Sequence, residues 1–600
     1  MERLEGINRR GWRLALPSRI GLLLSLNLLP LSISGLALVL LSGLILFVLY
    51  MTFVPGLPME PGFTLSHWRN VFRPYVLQEV IPNTAIVGVG SVLVALFFGC
   101  PLAWILNRTA IPFRDTFVTL MAISVVVPGF VKAMGWMMLL NERIGLINKA
   151  LAGLLGWESV PLGVNNLYGT AWLMGLMLTP TLFFLISGPI RALDPAFEEA
   201  ASVARANRWQ TVLRISLPLI WPGILSGAIY IFMTAISIFE VPALLGGMGG
   251  QMPVLATELF YEIHPPSQTA LEIKYGAAGV YGALMAAPSF IGMYFYYRVL
   301  RQVRRYEVIT GKGYRPRLMD AGRFRALALG FVVLYLVLAV ALPMLVLVWA
   351  SLLPYLQLPS PEAFSKLSLS NYRKFLPAMG GAAVIRNTAL LMAGVAISVI
   401  VLSFMVSWVV VRTRYRLRFA MDGVVLLSHA IPSLAFAFAL FVVGLMLSRW
   451  LPGLPFSDGL GIIVVAHVLH RLAYGTRITN AALLQVHHEL EECARVCGAR
   501  TFSTMWRVVI PLVRPSLVFA GLWTALLSFS EVSMALFLTS TNNKVLSVGV
   551  WSLWATGYGG IAAAAAVVVV TIMSLLVFVA LALSGGRITL PQMVAPHPDR

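Results

Sequence analysis

The sequence predicts an all-α integral membrane protein with about twelve transmembrane helices, arranged as two tandem six-helix repeats. Three observations support this prediction. Of the 600 residues, 59% are hydrophobic and 11% are charged, whereas an ordinary soluble domain carries about 25% charged residues. The apolar residues are gathered in long runs that reach the roughly 20 residues needed to cross a bilayer. The second half of the chain also repeats the pattern of polar residues found in the first half.

The predicted spans fall into two series of six. The first series comprises residues 33–54, 84–107, 117–139, 169–188, 221–241 and 276–297. The second series comprises residues 326–353, 386–411, 422–447, 460–476, 515–537 and 560–584. We therefore expect a first half at residues 1–297, a linker at 298–325 and a second half at 326–600.

The charge of the chain is strongly positive, with 44 lysines and arginines against 24 acidic residues. In a soluble protein this excess would suggest a nucleic acid partner. Here the cations lie between apolar runs, as in the cytoplasmic loops of membrane proteins, and no nucleic acid partner is expected. The linker is rich in arginine and belongs in the cytoplasm, so counting back six spans puts the N-terminus there too. The first apolar run is longer than the core of a cleavable signal peptide and is expected to be retained.

Short polar motifs recur at matching positions in the two halves. LSHWRNVF begins at Leu65 and LSNYRKFL begins at Leu369. Each motif is followed by an Asn-Thr pair and then by an Arg-Thr pair, and 25 residues separate the two pairs in both halves. A matched series of this kind indicates duplication. In membrane proteins, duplication is typical of a substrate path between pseudo-symmetric halves.

A long polar loop follows the fourth span of each half, at residues 194–224 and 487–517. The two loops align without gaps at an offset of 293 residues. Each pattern predicts a short amphipathic helix, a turn and a second helix that re-enters the membrane. Asp194 is a suitable N-cap, and the acidic residues lie in the first turns, where the helix dipole favours anions.

These loops resemble the EAA motif of permease subunits from binding-protein-dependent ABC importers, E-A-A-x-x-x-G-A followed by L-P-x-x-x-P. The resemblance covers essentially the whole chain and implies the type I ABC importer permease fold. It also implies that both helices couple to separate ATPase subunits. The residues assigned to this coupling are Glu198, Glu199, Ala200, Ala201, Arg205, Ala206, Glu491, Glu492, Cys493, Ala494, Gly498 and Ala499.

The two loops depart from the motif in different ways. Arg205 stands where the motif has glycine, although Asn207 nearby tolerates a left-handed turn. Cys493 stands where alanine is usual. The two loops are therefore expected to contact their ATPase partners unequally.

Fused permeases with such a linker resemble the ferric iron importers, and ferric iron is the expected cargo. Thiamine, polyamines, sulphate and aminoalkylphosphonates, which related importers carry, remain alternatives. The resemblance implies two ATPase copies and a periplasmic or lipid-tethered binding protein. It also places the chain in a prokaryotic inner membrane.

The chain is not expected to be an enzyme or to bind a cofactor. The closest text to a phosphate-binding loop, TGKGY at Thr310–Tyr314, lacks the upstream glycine spacing and the Ser/Thr. ATP and magnesium are therefore assigned to the partner ATPase. An ion-coupled secondary transporter is the alternative from another class, and an intramembrane enzyme would need a converging catalytic set that the spans do not show.

Two carboxylates within the spans, Glu240 and Glu531, are candidates for the substrate path, because ionisable residues are costly in a membrane. They follow Pro222 and Pro515 by 18 and 16 residues. A difference of two residues turns a helix by about 200°, so only approximate symmetry is expected. The alternative is that both are buried carboxylates satisfied by neighbouring helices.

Other polar residues are assigned no ligand role. His429, His467 and His470 are interpreted as packing or hydrogen-bonding residues. Cys493 and Cys497 lack further ligands at metal-binding spacing, so no metal site is predicted.

Overall fold

The computed structural model describes residues 28–56, 62–142, 144–157, 162–246, 252–265, 273–303, 318–320, 322–451, 453, 456 and 458–583. The basic N-terminal segment and the TGKGY segment of the linker lie outside these residues.

The first half contains thirteen described α-helices: α1 (Leu28–Met51), α2 (Ser66–Val71), α3 (Ile81–Arg108), α4 (Arg114–Val126), α5 (Gly129–Leu140), α6 (Leu146–Leu155), α7 (Leu167–Ala192), α8 (Pro195–Val203), α9 (Arg208–Thr211), α10 (Leu217–Ser237), α11 (Glu240–Gly246), α12 (Leu255–Ile263) and α13 (Tyr275–Val303).

The described part of the second half contains α14 (Arg325–Leu336), α15 (Leu342–Ser351), α16 (Pro361–Ser365), α17 (Ser370–Ala378), α18 (Ala382–Arg412), α19 (Arg418–Ala430), α20 (Ser433–Trp450), α21 (Leu460–Gln485), α22 (His488–Val496), α23 (Thr501–Thr504), α24 (Ile510–Ser530), α25 (Ser533–Phe537), α26 (Leu546–Ala555) and α27 (Gly559–Leu583).

The all-α membrane fold is confirmed, but the number of apolar spans is slightly smaller than the predicted twelve. Ten helical segments of the described chain are long and apolar enough to cross a membrane, and the bent pair α4–α5 makes eleven. Helix α21, which the sequence assigned as the tenth span, is not among them. It is as long as its counterpart α7, at 26 residues, but it carries His467, His470 and Arg471 within its length.

The third span of each half is broken at a proline. Helices α4 and α5 meet at 95°, and Pro128 lies at the N-terminus of α5. Pro432 occupies the same place before α20. The predicted third span, residues 117–139, therefore corresponds to α4 and α5, and the predicted ninth span, residues 422–447, to α19 and α20. Proline cannot donate the helical hydrogen bond and pushes the preceding residue into an extended conformation.

The core of each half has the same arrangement. Helix α3 packs against α7 and α10, and α18 packs against α21 and α24 in the same way. Large apolar side chains such as Leu93 and Ile397 stay exposed on the outside of these bundles. They are positioned to contact lipid tails.

The first helix of each half packs against the other half. Helix α1 contacts α18 and α20, and α15 contacts α5. Gly135 on α5 allows this close approach, because a Cβ added there would lie 2.6 Å from Pro343. A continuous cluster of buried apolar side chains therefore includes residues of both halves.

Short strands attach the described end of the linker to the first half. Strand β1 (Thr109–Ala110) pairs in parallel with β2 (Met319–Asp320). The linker thus returns to the loop that follows α3 before α14 begins.

Candidate functional site

Helices α8 and α22 are the two helices that the sequence assigned to coupling. Each is followed by a four-residue helix, a π-helical turn and a long span, and every one of these elements begins at an offset of 293 residues from its counterpart. The side chain of Asp194 accepts a hydrogen bond of 2.9 Å from the backbone of Ala196, so it begins α8 as an N-cap. His487, at the same position before α22, makes no such bond.

The turn after each coupling helix contains a residue in the left-handed region. In the second half this is Gly498, with φ of 84°, and in the first half it is Arg205, with φ of 59°. Asn207, which tolerates a left-handed turn, does not occupy this position. Asn207 instead accepts a hydrogen bond of 2.8 Å from the backbone of Gln210 and begins α9. The glycine is missing from the first loop, but the backbone geometry that favours it is retained.

One acidic residue of each coupling helix faces inward, toward a span. Glu491 Oε1 lies 2.7 Å from Arg412 Nε, and both side chains are buried. Arg412 also donates to the carbonyl oxygens of Leu483 and Val486, at 2.8 and 2.7 Å. Arg412 is the last residue of α18, so it connects this span to the start of α22.

The first half repeats this contact with looser geometry. Arg108, the last residue of α3, donates to the carbonyl oxygen of Leu193 at 2.6 Å. Its distance to Glu198 Oε1 is 3.8 Å, and Ser216 donates to the same carboxylate oxygen at 3.3 Å. The sequence analysis did not assign Arg108 or Arg412 to the site. The recurring Arg-Thr pair was the signal that could have identified them.

The remaining assigned residues divide between the two faces of the coupling helices. Ala201 is buried, and Ala206, Ala494 and Ala499 are half-buried. The residues exposed to solvent are Ala200, Arg205, Glu492, Cys493 and Gly498. The side chain of Glu199 lies outside the described part of the structure. Val203 and Val496 are also highly exposed, at 84% and 88%, so each helix presents an apolar residue that a partner could cover.

Glu240 and Glu531 line the same cavity, which has a volume of about 230 Å³ and lies between the two halves. The breaks at Pro128 and Ile431 border it, together with residues of α7, α10, α21 and α24. The structure therefore brings together the two carboxylates that the sequence proposed for the substrate path.

The two carboxylates are held differently. Glu531 Oε2 lies 2.5 Å from Arg471 Nη2 and 3.9 Å from His467 Nδ1. Glu240 accepts a hydrogen bond from the hydroxyl of Ser533. Ser533 lies 293 residues after Glu240, the offset that relates α10 to α24. The symmetry counterpart of Glu240 is thus its own hydrogen-bonding partner, and not Glu531.

A second hydrogen bond joins the halves at the cavity. The hydroxyl groups of Tyr230 and Tyr474 lie 2.7 Å apart, and both residues line the cavity. The cavity is therefore crossed by polar contacts between first-half and second-half side chains.

Lys132 also lines the cavity and is almost completely buried. Its ammonium group donates to the carbonyl oxygen and to the hydroxyl of Ser124, at 2.7 and 3.0 Å. The sequence analysis missed Lys132, although a lysine within a predicted span is a functional candidate by the same rule that identified Glu240.

The structure describes the side chains of His467 and His470, two of the three histidines that the sequence assigned to packing or hydrogen bonding. His470 lines the cavity, and its Nε2 lies 3.4 Å from the carbonyl oxygen of Ile431. His467 is buried, and the side chain of His429 lies outside the described residues. Among the residues that the structure describes, no group of three or more His, Cys, Asp or Glu side chains could hold a metal ion.

Comparison with known proteins adds a family match that covers both halves. Residues 91–305 and 400–589 match the family model described as "Binding-protein-dependent transport system inner membrane component". These two segments together make up more than half of the chain.

Three similar proteins illustrate the range of relatives. The ferric transport system permease protein FbpB of Actinobacillus pleuropneumoniae is 24% identical over 85% of this chain and 71% of its own length. The Fe(3+)-transport system permease protein FbpB 2 of Haemophilus influenzae is 22% identical over 82% of this chain and 87% of its own. The spermidine/putrescine transport system permease protein PotB of Haemophilus influenzae is 27% identical over 31% of this chain and 64% of its own.

Proposed function

The chain belongs to the family of binding-protein-dependent transport system inner membrane components, and from this premise we propose that it is the fused permease of an ABC importer for ferric iron. It would form both halves of the membrane path, since two segments of the chain match the family. Thiamine, polyamines, sulphate and aminoalkylphosphonates are the alternative cargoes in the same class.

Relatives that align with both halves of the chain support ferric iron as the cargo. The relatives named for ferric transport align with 82–85% of this chain and therefore with both halves, whereas the polyamine permease aligns with 31%. The cavity also offers carboxylate and phenol oxygens from Glu240 and Tyr230. Oxygen donors of this kind suit hard metal cations.

We assign ATP hydrolysis to two copies of a separate ATPase subunit, which bind ATP and magnesium. This chain would then bind no cofactor of its own. The two coupling helices support this stoichiometry, because each presents an exposed face beside a buried Arg–Glu contact. Glu199 and Glu492 are the acidic residues proposed to contact the ATPase subunits.

The buried Arg–Glu contacts offer a route for mechanical coupling. Arg412 connects Glu491 to the end of α18, and Arg108 connects α3 to the carbonyl of Leu193 just before α8. Movement of α8 or α22 by an ATPase subunit would therefore move α3 or α18. Since α3 and α18 pack against the helices that line the cavity, the motion reaches the substrate path.

The remaining partners follow from this proposal. A periplasmic or lipid-tethered binding protein would deliver the ion to the outer face. The N-terminus and the linker would lie in the cytoplasm of a prokaryotic cell, and the chain in its inner membrane. The described state, with Glu240–Ser533 and Tyr230–Tyr474 contacts across the cavity, would be one in which the path is closed at this level.

The test is transport by the purified importer in proteoliposomes. Vesicles that contain the permease and its ATPase should accumulate radioactive iron when ATP is inside and the iron-loaded binding protein is outside. Uptake of labelled spermidine or thiamine in place of iron would contradict the ferric assignment. Uptake that persists with a catalytically inactive ATPase under an ion gradient would instead support a secondary transporter.

A further inference from the structure

The charged side chains of the cavity balance one another. Two basic side chains, Lys132 and Arg471, and two acidic side chains, Glu240 and Glu531, line the cavity. A bare ferric ion would bring three positive charges into this space with no net negative charge to offset them. Transfer of uncompensated charge out of water is strongly unfavourable. The residues of the cavity are therefore insufficient to accept the ion alone.

The four side chains differ in the groups that they bind. Arg471 and Glu531, both from the second half, form a direct ion pair at 2.5 Å. Glu240 and Lys132, both from the first half, bind neutral groups instead: the Ser533 hydroxyl and the backbone and hydroxyl oxygens of Ser124. Within the described residues, no carboxylate forms an ion pair with Lys132. The first half thus contributes a separate cationic and a separate anionic group.

The cationic group has no counterpart in the second half. Helices α5 and α20 begin at an offset of 304 residues, which pairs Lys132 with Phe436. Both side chains are almost completely buried. Phe436 fills its buried position with an apolar ring. Burial of an ammonium group without an anion is costly, so the need to fill space does not explain a lysine at position 132.

We propose that the iron crosses the membrane together with an oxyanion, a carboxylate or phosphate ligand of the metal, and that Lys132 binds this anion in the cavity. This inference rests on the proposed ferric function. Glu240 would contact the metal ion, and Lys132 would contact the anion bound to it. The charge of the ferric ion is then reduced by its own ligand before the complex enters the cavity.

The test follows iron and anion together. Proteoliposomes that contain the complete importer receive binding protein loaded with radioactive iron, in one arm with carbon-labelled citrate and in the other with labelled phosphate. The inference predicts ATP-dependent entry of anion with iron in comparable amounts. The arm in which the anion enters identifies it as a carboxylate or as phosphate.

Variants of Lys132 report on the site itself. Lys132→Met removes a charge-assisted hydrogen bond to the anion and should lower the uptake of iron and anion by about tenfold or more. Lys132→Arg, which keeps the charge, should retain more uptake than Lys132→Met. The control is Lys149→Met, because Lys149 is an exposed lysine outside the cavity. Basal ATPase activity and gel filtration of each complex show whether the variant is assembled.

The outcomes separate this inference from the function on which it rests. If the wild-type importer takes up iron and neither anion accompanies it, the inference is overturned and the ferric function stands. If the wild type takes up no iron but carries another solute, the ferric function fails and the inference fails with it. The co-uptake measurement uses only the wild-type chain, so it decides the question even where a Lys132 variant does not assemble.

Discussion

The guanidinium of Arg412 lies 2.7 Å from the carboxylate of Glu491, and both side chains are buried at the junction of a span and a coupling helix. The equivalent distance from Arg108 to Glu198 is 3.8 Å. The duplication therefore preserves the residues of this contact, while the distance between the charged groups differs between the halves.

This difference predicts unequal effects of removing the two glutamates. Glu491→Ala leaves the charge of Arg412 buried without an anion, a change that costs about 3 kcal/mol or more. We expect a clear decrease in the midpoint of thermal unfolding and loss of ATP-driven transport. Glu198→Ala should cost less, because its ion pair is longer. Equal losses in the two variants would show that the distances do not reflect the strength of coupling.

Glu199 and Glu492 are predicted to act at the ATPase surface rather than in the fold. The double variant Glu199→Ala/Glu492→Ala should abolish transport while the permease stays folded, because Glu492 is exposed and its loss leaves no buried charge. Transport and ATPase activity of the reconstituted complex are the measurements. Glu362→Ala, at an exposed acidic residue far from these helices in sequence, is the matched control. Normal transport by the double variant would remove these residues from the coupling surface.

The left-handed turns predict opposite effects of exchanging glycine and arginine. Gly498→Arg forces a side chain into a conformation that costs about 1–2 kcal/mol, so the unfolding midpoint should fall. Arg205→Gly relieves the strain of the left-handed conformation and should raise the unfolding midpoint. The increase should be the smaller effect, because glycine also increases the entropy of the unfolded chain. Gly423→Ala serves as the control, since Gly423 lies within α19 and an added Cβ meets no atom within 4 Å. A destabilising effect of Arg205→Gly would mean that the arginine side chain compensates its own strain.

The ion pair in the cavity predicts rescue by a second substitution. Arg471→Met leaves Glu531 in a buried position without its nearest cation, and the stability of the solubilised protein should decrease by several kcal/mol, about 3 or more. Adding Glu531→Gln removes the orphaned charge and should restore most of the loss. Thermal unfolding of the two single variants and the double variant measures the interaction. Additive effects would indicate that the two side chains do not depend on each other.

Much of the architecture follows from periodicity and repetition in the sequence. Runs of apolar residues and the matched loops were sufficient for the fold class and for the position of the coupling helices. The break at Pro432 was visible as a proline, but whether a proline kinks a span or divides it depends on the helices packed around it. Arg205, and not Asn207, adopts the left-handed conformation because it follows the last turn of α8, where the backbone of Ala206 donates to the carbonyl oxygen of Ala201.

The chemistry of the cavity depended on contacts between residues distant in the chain. Glu240 and Ser533 lie 293 residues apart in the chain, yet their side chains are joined by a hydrogen bond. An alignment of the halves pairs these two positions, yet it does not show that paired positions touch. Lys132 was within reach of sequence reasoning, since it is an ionisable residue in an apolar run.

The contact of Gly135 with Pro343 has a consequence for biosynthesis. Helix α5 precedes α15 in the chain and is synthesised first, so the surface of α5 that receives Pro343 lacks its second-half partner until α15 has been made. Assembly of the first half is then completed only by a helix from the second. Synthesis as one polypeptide supplies that helix at equal stoichiometry and close to its binding surface, whereas separate subunits would have to find each other by diffusion in the bilayer.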